Sequence, residues 1–208
     1  MRVLVTRPAG QEAGLVRRLE ELGHEAIVCP LVEIEPLGDG PIDVAGYDWV
    51  VVTSVNGAGE LRRRMRGTPA RVAAIGVATA KAFGCADLVP AVSTQEGLLA
   101  ELPDPAGRVL FAGAEGARRL LADRLGADVV VLYRTHELVP AAVPEADLVV
   151  LASASAARAF GRTGAEIMAV SIGPETTAAA RSAGVVVVAE AATHDLDGLL
   201  AAIVSAGR

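Results

Sequence analysis

The sequence predicts an α/β protein with parallel sheets of doubly wound type, built from two related halves, and three observations carry that reading. Short Val/Ile/Leu runs alternate with helical segments along all 208 residues. Most of those runs lack polar alternation, as strands covered on both faces do. The chain also repeats itself. Tyr47–Ser54 returns as Glu145–Ser153, with Ser54 matching Ser153 at an offset of 99. Ala74-Ile75-Gly76 and Thr79 return as Ser171-Ile172-Gly173 and Thr176, at an offset of 97. Arg2–Val5 returns as Arg108–Phe111, at an offset of 106. A period near half the chain length means two related halves and is too long for a solenoid.

Taken in order, strands are expected near Val3–Thr6, Glu25–Cys29, Trp49–Thr53, Val72–Ile75 and Leu88–Val89. Five more follow near Val109–Phe111, Val129–Leu132, Leu148–Ala152, Ile167–Ile172 and Val185–Ala189. Helices intervene near Gln11–Leu22, Ala58–Met65, Ala78–Phe83, Gln95–Leu102, Ala117–Leu125, Ala154–Phe160, Glu175–Ala183 and Leu196–Ala206. Gly23, Gly84 and Gly184 stand after helix ends, where a left-handed C-cap is wanted. Strand alternating with helix implies parallel sheets, and ten strands divide as five and five.

Two partitions into domains stay open on the residues alone. Leu102-Pro103-Asp104-Pro105-Ala106-Gly107 reads as a linker between consecutive repeats. Pro30–Pro36 and Tyr133–Pro140 each alternate apolar and polar residues and end in proline. Such segments read as exposed two-faced strands. They occupy equivalent places in the two repeats, so they could pair antiparallel and bridge two lobes, one of them built from both chain ends.

Composition narrows the function classes. The hydrophobic fraction is 52%, yet no apolar run approaches a membrane span. The N-terminus reads directly as strand and turn, with no signal-peptide core, and a cytoplasmic protein is expected. Cys29 and Cys85 form neither a disulfide framework nor a zinc set. A net charge of −6 argues against a nucleic-acid partner. Lys81 is the only lysine, so arginine supplies nearly all the forked donors that suit carboxylates.

No common catalytic signature is present. There is no P-loop, and Gly57-Ala58-Gly59 misses the third glycine of a dinucleotide loop. His24, His136 and His194 lack metal-ligand spacing, and no serine nucleophile motif occurs. Small polar residues instead stand where strands hand over to helices: Thr6-Arg7, Thr53-Ser54, Gly76 with Thr79, Gly113, Ser153 with Ser155, and Gly173 with Thr176. In open α/β sheets these carboxyl ends line the ligand crevice, and helix N-termini there bind anions. Each Ser or Thr alone reads as a helix N-cap; the set reads as a binding face.

In order along the chain, Val3-Leu4-Val5-Thr6-Arg7-Pro8, Thr53-Ser54-Val55-Asn56-Gly57, Ala74-Ile75-Gly76 with Thr79, Tyr133-Arg134-Thr135, Ser153 with Ser155, and Ile172-Gly173-Pro174 with Thr176 resemble the uroporphyrinogen-III synthase family. The resemblance implies two flavodoxin-like parallel-sheet domains joined by a two-stranded antiparallel β-ladder linker, with the active site between them. It implies one discontinuous domain of residues 1–33 and 140–208, a second of 36–132, and linkers near 30–36 and 133–140.

The implied activity is that of a cyclising hydro-lyase in tetrapyrrole biosynthesis. It closes hydroxymethylbilane with loss of water and inversion of ring D, as a monomer that needs no metal or cofactor. Substrate handover from hydroxymethylbilane synthase is the partner relation that fits, with no nucleic acid and no membrane. The family's tyrosine falls on Tyr133, which is implied as proton donor to the leaving hydroxyl. Thr79 and Thr176 are implied as substrate-carboxylate contacts, and Arg7, Thr53, Ser54, Gly76, Ser153, Ser155 and Gly173 are the remaining substrate-binding candidates.

The chain departs from the family pattern in two places. Ala112-Gly113-Ala114 stands where many relatives have an arginine–glycine pair, which would shift a carboxylate contact to Arg118 or Arg119. Ala152-Ser153-Ala154 replaces the usual threonine-serine-proline. The rival reading is a non-catalytic two-lobed protein that binds an anion or serves as a regulator; it predicts ligand binding without turnover.

Overall fold

The computed structural model describes residues 1–207, which form two compact units. One comprises Met1–Glu33 with Thr135 onward, the other Ile34–Arg134. Pro103-Asp104-Pro105 lies inside the second unit, ahead of a core strand, and divides nothing.

The first unit holds strands β1 (Arg2–Val5) and β2 (Glu25–Val28) around helix α1 (Ala13–Glu21). Most of the second unit follows before the chain returns to the first. Its elements are β3 (Val32–Pro36), β4 (Ile42–Asp43), β5 (Trp49–Val52), α2 (Val55–Arg64), β6 (Met65–Arg66), β7 (Val72–Ala74), α3 (Val77–Phe83) and α4 (Gln95–Glu101), then β8 (Val109–Ala114), α5 (Leu120–Leu125) and β9 (Asp128–Glu137). The first unit is completed by β10 (Leu148–Leu151), α6 (Ala154–Thr163), β11 (Ala169–Ser171), α7 (Pro174–Ser182), β12 (Val187–Glu190) and α8 (Leu196–Ala206).

The sheet of the first unit has the order β12-β11-β10-β1-β2, all parallel. That is the doubly wound order of flavodoxin-like folds, whose ligand crevice lies where the winding reverses. Here the reversal falls between β1 and β10, where Val3 pairs with Leu148 and Val5 with Val150. The second sheet has the order β3-β9-β8-β5-β7, and its strands β9, β8, β5 and β7 are parallel. Its winding reverses between β8 and β5. A small two-stranded sheet of β4 and β6 stands apart.

The sequence repeat explains this arrangement. By the offsets, β1 matches β8, β5 matches β10, and β7 matches β11. Each sheet therefore draws on both repeats: β1 and β2 join β10, β11 and β12 in the first, and β8 and β9 join β5, β7 and the edge strand β3 in the second. The β1–β10 seam and the β8–β5 seam are then the same junction, made twice.

Strands β4 and β6 are not among the expected elements, and α5 starts at Leu120 rather than Ala117; three further differences from the sequence reading have a local cause. Leu88–Val89 makes only an isolated bridge, from Leu88 to Ala73. Pro90 follows it and has no amide to extend a ladder. The fifth strand of the second sheet is β3 instead. The expected strand Val129–Leu132 and the two-faced segment after it form one ten-residue strand, β9, because no turn residue separates Leu132 from Tyr133. Its neighbour β3 runs the opposite way: Leu37 N–H donates to Leu132 O at 2.8 Å, and Leu138 N–H donates to Leu31 O at 2.8 Å. Helix α2 begins at Val55 rather than Ala58, since Ser54 caps it by accepting from Gly57 N–H at 3.0 Å.

Burial follows the strand pattern. The interior strands β5 and β10 are buried at every residue, with Leu151 and Val150 fully enclosed. One layer of the first unit packs Leu15, Leu19, Leu199 and Ile203 onto Val3, Val5 and Val150. The other packs Phe160, Ala157 and Ala180 onto Leu4, Val149 and Leu151. Phe160 is the largest fully buried side chain. Replacing it with alanine is expected to cost about 3–5 kcal/mol, read as a lowered urea midpoint for the first unit.

Candidate functional site

The site candidates gather at the carboxyl ends of the two sheets, and each unit is described by itself. In the second unit, β5 leads through Thr53 and Ser54 into α2. Ser54 Oγ accepts the Gly57 amide and stands 2.9 Å from the Tyr133 hydroxyl. Tyr133 is only 7% exposed and packs among Val52, Ala58 and Leu132. Burial pushes its pKa up, and the bond to Ser54 offsets part of that rise. The phenol therefore stays protonated at neutral pH.

Gly76 opens the next turn, at the head of α3, and supplies no side-chain cap. The first helical bond runs from Ala80 N–H to Gly76 O at 3.0 Å. The amides of Val77, Ala78 and Thr79 precede it, and helix geometry gives them no intrahelical acceptor. Thr79 is buried in the first turn. Ser93 faces the turn, its Oγ 3.1 Å from where a Cβ on Gly76 would stand.

The first unit repeats the plan. Ser153 caps α6, accepting from Ala156 N–H at 3.1 Å, and Ser155 Oγ accepts from Arg158 Nη2 at 3.1 Å. Gly173 opens α7 without a side-chain cap, and Pro174 fills the first helical position. The first helical bond here is Thr177 N–H to Gly173 O at 2.9 Å, so the Glu175 and Thr176 amides stand before it. Thr176 is buried like Thr79. The backbone of Gly173 is extended, which any residue could adopt. Space explains the glycine: a Cβ would lie 2.8 Å from Cδ2 and Nε2 of His194.

Arg7 follows β1 at the winding reversal and is half-buried. Desolvation lowers its pKa, countered in part by the charge of Glu12. Beside it Thr6 is fully buried and donates across the seam to Val150 O at 2.7 Å. Arg118 and Arg119, which might have replaced the missing arginine after β8, are engaged elsewhere. Arg118 Nη2 lies 2.5 Å from Glu96 Oε1, and Arg119 Nε lies 3.2 Å from Asp123 Oδ1.

Capping thus accounts for Ser54 and Ser153 but not for Thr79 and Thr176, which lie inside their helices. Helices α2, α4, α6 and α8 carry side-chain caps from Ser54, Thr94, Ser153 and Asp195. The two Ile-Gly turns lack them and leave donors in place for an anion. Sequence reasoning missed Ser93 and His194, which face those turns. A matched signal did exist: each precedes the capping residue of the next helix, Thr94 and Asp195. Among the described residues, no group of three or more His, Cys, Asp or Glu is placed to hold a metal ion, and no helix is long and apolar enough to cross a membrane.

Two flavodoxin-like sheets that share one chain, with matched uncapped turns at their carboxyl ends, define a class of two-unit α/β proteins. A family profile described as uroporphyrinogen-III synthase HemD matches residues 13–201, and the chain belongs to that family. It is 28% identical to the uroporphyrinogen-III synthase of Synechococcus elongatus over 246 aligned positions, covering 97% of this chain and 93% of that one. A mutant uroporphyrinogen III synthase of Thermus thermophilus has the same fold, with a TM-score of 0.58 at 17% identity over 99% of this chain and 98% of that one.

The Tyr133 environment makes a testable statement about stability. A tyrosine whose folded pKa is raised contributes stability that is fully present below its unfolded value of about 10 and is lost as pH rises through the folded value. Tyr133→Phe should therefore flatten the loss of stability between about pH 9 and 11 relative to the parent. Urea unfolding across that range checks it; an unchanged pH profile would place the tyrosine in an ordinary aqueous environment.

Proposed function

We propose that the chain cyclises hydroxymethylbilane to uroporphyrinogen III, with loss of water and inversion of ring D. Family membership supports the reaction. The carrying observation in the structure is the matched pair of uncapped Ile-Gly turns, because the substrate presents eight carboxylates to a protein of net charge −6. Backbone donors at helix N-termini hold carboxylates without net positive charge.

The chemistry asks little of side chains beyond positioning. Departure of the hydroxyl of the hydroxymethyl group as water, with a proton supplied to it, leaves the methylene carbon as an azafulvene, driven by the pyrrole nitrogen lone pair. The substituted carbon of ring D attacks it, giving a spiro intermediate that fragments and recloses with ring D inverted. A flexible linear tetrapyrrole has to be held in the fold that favours this attack over closure to the uninverted isomer. Tyr133 is the proton donor to the departing hydroxyl, and Ser54 holds the phenol in place. In our reading Gly76 with Thr79 and Gly173 with Thr176 carry substrate carboxylates. Arg7 pairs with another, and Thr53, Ser54, Ser153 and Ser155 line the same sheet ends.

The division of the chain into a discontinuous domain of 1–33 and 140–208 and an inserted domain of 36–132 belongs to this reading, as do a monomeric state and a cytoplasmic location. Because the free substrate closes spontaneously to the wrong isomer, direct receipt from hydroxymethylbilane synthase is the partner relation that suits it.

The test is a coupled assay that generates hydroxymethylbilane in situ and separates the oxidised porphyrin isomers. The expected product is the type III isomer; type I alone, from folded protein, would overturn the proposal. Tyr133→Phe is expected to lower kcat by about 10- to 100-fold while keeping the type III product, since removing a general acid slows the step it serves and water can take over the proton. Wild-type kcat in that variant would remove Tyr133 from the mechanism.

A further inference from the structure

The turn from Ile172 to Thr176 is closed underneath by a hydroxyl pair that no part of the proposed chemistry uses. Ser171 and Thr177 bracket the turn, and their Oγ and Oγ1 atoms lie 2.5 Å apart. Ser171 is fully buried and Thr177 nearly so. Thr177 Oγ1 in turn donates to Glu190 Oε2. A hydroxyl has one proton, so Thr177 spends its own on the carboxylate and Ser171 donates to Thr177. The result is a one-way chain from the end of β11, through the first turn of α7, to the end of β12. Glu190 is well placed to end it, because it is the sheet partner of Ser171 and Ala191 N–H donates to Ser171 O at 2.9 Å.

The second unit lacks this device. At the same offset of 97 that relates the two Ile-Gly turns, Ala74 stands for Ser171 and Ala80 for Thr177. Neither alanine has a polar side-chain atom. Where two copies of one turn differ in this way, general stability of the fold does not explain the difference, since the second unit folds the turn without it. The two buried hydroxyls carry a desolvation cost that the alanine version avoids.

We propose that Glu190, Thr177 and Ser171 are positioning residues for the substrate: they fix the Gly173–Thr176 turn in the shape that receives a carboxylate. The inference rests on the proposed function, in which Gly173 and Thr176 meet the substrate.

Thr177→Val keeps the branched shape and removes the hydroxyl. It is expected to raise KM for hydroxymethylbilane by about tenfold, a factor worth about 1.4 kcal/mol, with kcat within about twofold of wild type. Thr177→Ser and Glu190→Gln retain a donor and an acceptor and should keep wild-type KM, whereas Glu190→Ala should behave like Thr177→Val. Amide hydrogen exchange provides a readout independent of activity. In Thr177→Val and Glu190→Ala, protection should fall at 172–177 and stay unchanged at 75–80. Wild-type KM and unaltered exchange in both variants would overturn the proposal. Should Thr177→Val not fold, Glu190→Ala decides alone, since Glu190 is exposed. Failure of the wild-type protein to make the type III isomer would count against the function itself, and the exchange result would still judge the hydroxyl chain.

Discussion

The pairing of β1 with β10, and its counterpart between β8 and β5, is the constraint on which the rest depends. Each seam joins strands that lie far apart in the chain, so neither sheet can close until both repeats are present. The seam strands are buried along their length, and burial of their Val and Leu side chains supplies the main driving force. Because the winding reverses at each seam, the helices that follow diverge there, and their N-termini come to the same end of the sheet. The position of Arg7, Ser54 and Ser153 is a consequence of topology before it is a matter of chemistry. Thr6 reinforces the first seam with a side-chain bond to Val150 O.

That geometry resolves an apparent conflict between ligand and protein charge. An acidic chain with one lysine is a poor electrostatic host for a polycarboxylate if binding depends on cationic side chains. Many of the arginines pair with acids of the same unit: Arg63 with Asp39 and Glu60, Arg134 with Glu115, Arg158 and Arg162 with Glu137. Those exposed pairs each contribute little. Backbone amides at the head of an uncapped helix are different, since they carry no formal charge and cannot be neutralised by a neighbouring carboxylate. With glycine at the N-cap, leaving α3 and α7 without side-chain caps costs each helix only a few tenths of a kcal/mol relative to a Ser or Thr cap. In the proposed function, a substrate carboxylate at the turn returns that stabilisation.

Much of the fold was legible because the strand signal was strong. Trp49–Val52 and Leu148–Leu151 are unbroken apolar runs, and both are buried interior strands of their sheets. The repeat announced two related units, and it also encoded the crossed assembly in which each sheet draws on both copies. Leu88–Val89 was misread because two apolar residues before a proline satisfy the composition of a strand without its hydrogen bonds. The single strand β9 was read as two pieces because its second half alternates while its first half does not.

The candidate site was legible by position and obscure by role. Small polar residues after strands marked the sheet ends correctly, since Gly76 and Gly173 do open helices there. What sequence could not separate was a serine that caps from a threonine that is buried one turn later, because both satisfy the same short pattern. Only three-dimensional contacts pair Ser171 with Thr177 and set His194 against Gly173. The central claim is that bare amides of the two Ile-Gly turns hold the anionic ligand. Backbone amide NMR during titration with the reaction product, uroporphyrinogen III, tests it most directly. The account predicts the largest shifts at Val77, Ala78 and Thr79 and at Glu175 and Thr176. Shifts confined to arginine side chains, with those five amides unmoved, would contradict it.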